Sequence, residues 1–386
     1  MYSRFRISTT FLTVCLCVWL INIPSAADVV DLETALASQV QFDFEETPLA
    51  QLLESVSRRY KVPIVADRMA LEAAGRDLSE IVISCQTADL PLAKALEALL
   101  APIQLQWIAR HDVVLVTTDK AAAEDYYETR VYKVTRRVPA DRRMRSIMWS
   151  VEPTSWSTTG GKGDAAPLMP NLLLVYQSPL LHRQIAQRFA SSVVPVRAPH
   201  DADPRSGTEL EKKLRSPTFI DVKSQRLVDV MGRLGDTHSI AIKFDKQSLD
   251  EAGIPSDDLT VTLQVGELRT LASGLSLLLE QSDSELRWLE RGNEIAITTA
   301  GSAACEMVRE TYEVKEILHN DDIAQLIDAV QYAVAPTTWE QAGGYATIES
   351  RKDGTKLEIL QCASVHRILR RLFADLRVGR TPKNQP

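Results

Sequence analysis

Two nine-residue stretches constrain this chain more than any other feature: Pro153-Thr-Ser-Trp-Ser-Thr-Thr-Gly-Gly161 and Pro336-Thr-Thr-Trp-Glu-Gln-Ala-Gly-Gly344. They share Pro, Thr, Trp and a Gly pair at identical internal spacing. Walking outward from each Trp, the same order of elements appears, so the repeat covers nearly everything from about Gln41 to Arg377. Whatever the chain folds into, it does so twice.

Each copy reads as two short modules. The first opens with the alternating strand Val40-Gln-Phe-Asp-Phe44. A helix follows, with Pro48 in its first turn and Leu49, Leu52, Leu53 and Val56 on one face. After Val62 to Val65 and Ile81 to Cys85 comes a helix with Leu92, Ala95, Leu96 and Leu99. Two closing strands, Leu105 to Ile108 and Val113 to Val116, flank the turn Arg110-His-Asp112. The second copy answers with Phe219 to Val222, the stripe Leu227, Val230, Met231 and Leu234, and the closing strand Glu294 to Thr299. Asp119–Asp125 and Ala300–Glu306 read as polar bridges to the second module. That module starts with Arg130 to Val134 or Glu310 to Val314, then a helix with Ile147 or Ile327 on its apolar face. After the Trp stretch come a strand, Leu172 to Tyr176 or Leu357 to Leu360, and a final helix opening Leu181-His-Arg183 or Val365-His-Arg367.

The expected fold class is α+β, a tandem duplication of a two-module unit, with helices buried against one face of each small sheet. The expected boundaries are a signal peptide at 1–27, module A at 40–118, module B at 127–192, a linker at 193–217, module A′ at 218–299, module B′ at 308–377 and a tail at 378–386. The signal reading rests on Arg4 and Arg6, the apolar run Phe11 to Ile23, and Pro-Ser-Ala-Ala with cleavage after Ala26 or Ala27. That run is shorter than the ~20 residues that span a bilayer. Export to the periplasm or cell envelope follows, with at most a peripheral relation to membrane. Past the signal, Cys85, Cys305 and Cys362 show no disulfide framework or zinc spacing. With 51 Asp and Glu against 44 Lys and Arg, nucleic acid is excluded as a partner.

Phe44 to Thr118, above all Thr47-Pro-Leu-Ala-Gln-Leu-Leu and Asp89 to Leu100, resembles the short N-terminal domain shared by secretins and TonB-dependent receptors. Tyr132 to Val134 with Leu172 to Phe189, and Tyr312 to Val314 with Leu357 to Phe373, resemble the KH-like domain that follows it in secretins. The Pro-Thr-x-Trp stretch with its Gly pair is similar to one in duplicated, exported bacterial proteins with no assigned activity. The resemblance implies protein–protein contacts in the envelope. Because the sequence ends at Pro386 straight after module B′, a secretin's pore domain is not expected.

Chemistry is sparse. His182 and His366 occupy matching places, each followed by Arg, but no Asp, Glu, Cys or second His stands at triad or ligand spacing, which favours packing or capping. Gly160-Gly-Lys-Gly163 lacks the order of a phosphate loop. Asp257-Asp258 and Asp321-Asp322 read as a solvated turn and a helix start. No catalytic residue, cofactor or metal is expected. The candidate interface loops are Trp156 with Gly160 and Gly161, and Trp339 with Gly343 and Gly344. Two readings of them stay open: each Trp plugs its module while the Gly pair turns the chain with φ > 0, or it anchors a partner. The expectation is a non-enzymatic interaction or assembly module whose partner is an envelope or secretion-system protein or a further copy of itself. The alternative is a periplasmic protein that binds a ligand in a cleft between modules.

Overall fold

The computed structural model describes residues 31–135, 138–168, 170–198, 208–320 and 322–380. The expected signal peptide, Asp321, part of the expected linker and residues 381–386 lie outside them. Module A holds α1 (Leu32–Ala37), β1 (Gln39–Pro48), α2 (Leu49–Tyr60), β2 (Ile64–Ala66), α3 (Arg68–Ala73), β3 (Val82–Pro91), α4 (Leu92–Leu100), β4 (Leu105–Arg110), β5 (Val113–Thr118) and α5 (Asp119–Glu124). Module B holds β6 (Glu128–Val134), α6 (Ala140–Ser150), β7 (Asp164–Leu168), β8 (Leu172–Gln177), α7 (Pro179–Arg188) and β9 (Val193–Val196). Module A′ follows with α8 (Glu209–Leu214), β10 (Thr218–Arg226), α9 (Leu227–His238), β11 (Ile242–Phe244), α10 (Lys246–Glu251), β12 (Thr260–Leu268), α11 (Leu271–Ser282), β13 (Leu286–Arg291), β14 (Glu294–Thr299) and α12 (Ala300–Cys305). Module B′ contains β15 (Met307–Glu313), α13 (Ile323–Ala333), β16 (Thr347–Ser350), β17 (Lys356–Cys362) and α14 (Ala363–Arg380).

This is an α+β protein built from several small sheets. In each A-type module a bulged two-stranded ribbon, β1–β3 or β10–β12, stands apart from a three-stranded sheet, β2-β5-β4 or β11-β14-β13. Local chemistry sets the boundaries: Asp67 and Asp245 cap α3 and α10, while Lys61 and Ser239 close α2 and α9 in the left-handed conformation. Three stretches differ from expectation. The two polar bridges are α5 and α12, each capped by a Thr, Thr118 or Thr299. The stretch 193–217, expected as a linker, begins with β9 paired to β6 and carries α8 near its end, with Leu210 and Leu214 buried.

The larger correction concerns the sheets of the first copy, which are covered on both faces. Along β5, Val114 and Val116 point into module A's own core, whereas Val113 and Leu115 join the core of A′. Along β8, Leu173 and Val175 face module B's helices, and Leu172 and Leu174 pack with B′. Helix α11 is buried round most of its circumference, as a helix apolar on nearly all sides must be. Helices α13 and α14 lie between the sheets of B and B′. In the second copy the matching strand reads Lys356-Leu357-Glu358-Ile359: apolar residues alternate with charges, and Glu358 meets Arg309 and Arg351 on an outer face.

This difference is measurable. Leu174→Ala, which empties a site shared by the two copies, should cost about 2–5 kcal/mol in urea or thermal unfolding. Glu358→Ala, at the matching place on the outer sheet, should cost under about 1 kcal/mol. Equal losses at the two positions would contradict the burial described.

Candidate functional site

The two Trp loops share the same set of backbone hydrogen bonds. Each opens with a non-Gly residue in the left-handed region, Glu152 at φ 36° or Ala335 at φ 43°, followed by a 3-10 turn starting at Pro153 or Pro336. The indole N–H of Trp156 donates to the Val151 carbonyl at 2.8 Å, and that of Trp339 to Val334 at 2.7 Å. Both Trp side chains are 0 % exposed. Neither indole is therefore presented to a partner, and what the loops offer outward is their rim, where Tyr345 stands exposed and Lys162 holds the matching place.

The Gly pairs divide their work. Gly160 and Gly343 have φ of 92° and 87°, so they supply the left-handed turn. Gly161 and Gly344 have ordinary φ but no room: a Cβ would stand 2.1 Å from the Ser155 carbonyl carbon or 1.9 Å from the Thr338 oxygen. Their N–H groups close the loop on the Trp156 and Trp339 carbonyls at 2.9 and 3.0 Å. A buried glutamine that the sequence reading passed over, Gln177 or Gln361, ties the loop to the last strand through Ser155 or Thr338. Gly344→Ala should lower stability by about 2–3 kcal/mol through overpacking against backbone. Gly343→Ala should lower it by about 1–2 kcal/mol through φ strain alone. Chemical denaturation of both variants checks the order.

His182 and His366 are wholly buried locks. Nε2 of each faces a backbone carbonyl, Glu128 at 3.1 Å or Val308 at 2.8 Å, so Nε2 carries the proton and donates. Nδ1 of His182 then accepts from the Tyr132 hydroxyl at 2.9 Å, while in the second copy Nδ1 of His366 lies 2.8 Å from the Tyr312 hydroxyl, which donates to Glu310 at 2.7 Å. Burial, with Arg130 nearby, pushes the His182 imidazole down to about 3, and burial pushes the Tyr132 hydroxyl up to about 12. The residue after each His reaches the neighbouring module: Arg183 lies over the Trp107 ring at 4.2 Å and Arg367 over Trp288 at 4.0 Å. The sequence carried this signal in the recurrence of Trp107 with Trp288 and of Arg183 with Arg367.

Because the folded value of His182 lies below the ordinary one near 6.5, the unfolded chain takes up this proton first. The stabilisation is full above about pH 6.5 and is lost as pH falls toward 3. At about 1.4 kcal/mol per unit, roughly 2–3 kcal/mol should disappear between pH 6.5 and 4.5. His182→Gln should flatten that part of the stability-versus-pH curve, and an unchanged slope would refute the assignment.

The copies meet through a second set of polar contacts. At the β4–β5 hairpin, His111 and Asp112 are both left-handed, and Arg110 holds Glu280 of α11 at 2.6 and 3.2 Å while His111 touches it at 3.1 Å. Burial alone would raise the Glu280 carboxyl, but the His111 hydrogen bond and the Arg110 guanidinium outweigh it and hold it well below the usual range. Asp112 accepts from Ser273, and Asp375 of α14 accepts from the Ala198 N–H at 2.7 Å. Between the modules lies a cleft of about 540 Å³ lined by Leu279, Trp288, Ala303, Ile368, Arg367 and Arg371 among others. Among the described residues no cluster of His, Cys, Asp and Glu is arranged to hold a metal ion, and no helix is long and apolar enough to cross a membrane.

The B-type modules differ at one sheet edge. The ladder in module B is β7-β8-β6-β9, so β6 is paired on both sides, with Val131 opposite Val196 and Val134 opposite Val193. In B′ the ladder is β15-β17-β16, and β15 is an edge strand. Where α7 ends and Ala190-Ser-Ser-Val-Val-Pro195 turns back as β9, α14 runs on through Ala374-Asp-Leu-Arg377 to Arg380. Ser, Val and Pro end a helix in the first copy, whereas Ala, Leu and Arg extend it in the second. Val314 donates to Thr355 on the β17 side, so the alternation of an antiparallel ladder turns the backbone groups of Arg309, Thr311 and Glu313 to the edge. The Glu313 carbonyl there accepts from Arg377 at 2.8 Å.

No family model matches the chain, and no curated protein does. Among solved structures, a Salmonella SPI-1 injectisome base assembly, InvGN0N1:SpaPQR:PrgHK, aligns over 40% of this chain and 94% of its own at 10% identity and a TM-score of 0.19. The GspC-GspD complex of enterotoxigenic Escherichia coli aligns over 41% and 96% at 15% identity and 0.16. A dimeric mutant of the N-terminal domain of the secretin XcpQ from Pseudomonas aeruginosa aligns over 64% and 98% at 13% identity and 0.15. These neighbours are secretin N-terminal domains and secretion-system components, and the superpositions are too loose to carry a function across.

Proposed function

We propose that this chain is an exported, non-enzymatic protein of the cell envelope, a duplicated pair of secretin-like modules that binds an envelope or secretion-system protein by strand addition at β15. The observation that carries the reading is internal. One copy of the module fills this edge in cis with β9, and the other leaves β15 at the edge of its sheet. An extended, antiparallel partner segment would pair with Thr311 as Val196 pairs with Val131 of β6, and could run on to Arg309. Arg309 and Glu313 on the same strand discourage indiscriminate edge pairing and reward a segment of complementary charge.

A photo-reactive residue in place of Arg309, activated in cells, should give one discrete crosslinked species in envelope extracts. Thr311→Pro should abolish it while leaving the circular dichroism and Tm of the purified protein unchanged, because that N–H does not serve β17. Absence of any crosslinked protein while a known envelope complex crosslinks would overturn the reading. So would a Thr311→Pro variant that crosslinks as before.

A second reading has its own support in the inter-module cleft. Its apolar wall of Leu279, Trp288 and Ile368 stands beside Arg367, which is paired with Glu290 at 3.7 Å and stacked on Trp288. An apolar ligand would fit such a lining. That role requires a rise in Tm with ligand, about 2.7 kcal/mol of stabilisation at a hundredfold excess over Kd.

A further inference from the structure

We infer that the exposed stripe of α6, Arg142, Arg145 and Trp149, docks on the exposed stripe of α13, Ala324, Asp328 and Tyr332, of a second copy of this chain. Trp149 on α6 is 78 % exposed, and Tyr332 on α13 is 52 % exposed. They stand 183 residues apart, as Trp156 and Trp339 do, so each B-type module presents a large aromatic at the same point of the same helix. Packing inside the chain does not require them there: the buried stripes are Ala140 and Ile147 on α6, and Leu326, Ala329, Val330 and Ala333 on α13. Trp and Tyr are among the residue types that dominate interface energetics.

The charges beside the two aromatics are opposed. At the repeat spacing, Arg142 and Arg145 on α6 are answered by Gln325 and Asp328 on α13. Arg145 and Asp328 are both exposed. The wider fields agree: residues 127–192 hold ten Lys and Arg against four Asp and Glu, a net +6, whereas residues 308–377 hold nine against eleven, a net −2. Arg145 also pairs with Asp141 of its own helix at 2.9 Å, yet α6 keeps three Arg against that one Asp, so a like pair, α6 on α6, is net repulsive and complementarity selects the unlike pair. Every chain carries both halves, and the contact can repeat from copy to copy. This contact extends the assembly reading but uses a surface other than the β15 edge.

The test is the mass of the purified mature chain by sedimentation across a hundredfold concentration range, at low and high salt. The expected result is mass rising with concentration at low salt and falling back at high salt, where exposed charges are screened. Arg145→Asp and Asp328→Arg should each weaken association by about tenfold, and the two together in one chain should restore it. Trp149→Ala should abolish association with Tm unchanged, which separates a surface role from misfolding. A monomer at every concentration would overturn the inference, as would charge variants that fail to rescue each other. Retention on anionic vesicles through Trp149 by a chain that stays monomeric would assign the face to lipid instead. None of these outcomes touches the crosslink at Arg309, so the two proposals fail separately.

Discussion

Everything in this architecture depends on the outer faces of the first copy's sheets being too apolar to meet water. Val113, Leu115, Leu172 and Leu174 point away from their own modules, and the second copy covers them. At about 25 cal/mol per Å² of apolar surface, four such side chains contribute several kcal/mol to holding the copies together. The polar contacts at the same junctions, Arg110 with Glu280 and Ala198 with Asp375, then fix the orientation that burial alone leaves open. A half-buried, bidentate charge pair does this well because its geometry is directional, even where its net stabilisation is small.

Within each copy the locks are the same. The Tyr–His–carbonyl chain ties the final helix to the first strand of the B-type module, the Trp loop closes its end, and the Arg after the His stacks on a Trp of the A-type module. Such features tie A to B and A′ to B′. They do not distinguish the copies. The distinction comes from residues on faces that these locks leave alone, and there the two sequences have diverged.

How much of this the sequence discloses depends on whether the signal is local. The paired loops are legible because Pro-Thr-x-Trp with two glycines states a turn, a plug and a close approach in nine residues, although the different duties of Gly343 and Gly344 need coordinates. The two-sided sheets were written in Leu172-Leu-Leu-Val175 against Lys356-Leu-Glu-Ile359, since a strand buried on both faces loses its alternation. Module-level reasoning nevertheless expected one covered face, because the partner of Leu174 lies in the other copy. Strand β9 was hidden by Pro195 in a stretch with the composition of a linker, and Trp149 with Tyr332 by being unlike residues at like positions. Long-range partners and substituted equivalents are where pattern fails, because neither leaves a period.

Burial of one copy's sheets by the other gives the two unequal freedom. A residue on the outer face of β8 cannot become charged without exposing the helices of B′, so the first copy's sheet is held to its apolar sequence. The outer face of β17 has no such duty, and there Glu358 pairs with Arg309 and Arg351 in solvent. The same release applies to the chain after Phe373: with no strand to supply, α14 could lengthen, and its last turns pack Gly379 against Leu172 and Val196 of module B. The helix extension that seals one copy on the other therefore also leaves β15 as an edge. Joining the two copies and leaving β15 as a sheet edge are one structural change, because the same residues cannot be both the helix that covers module B and the strand that would close B′.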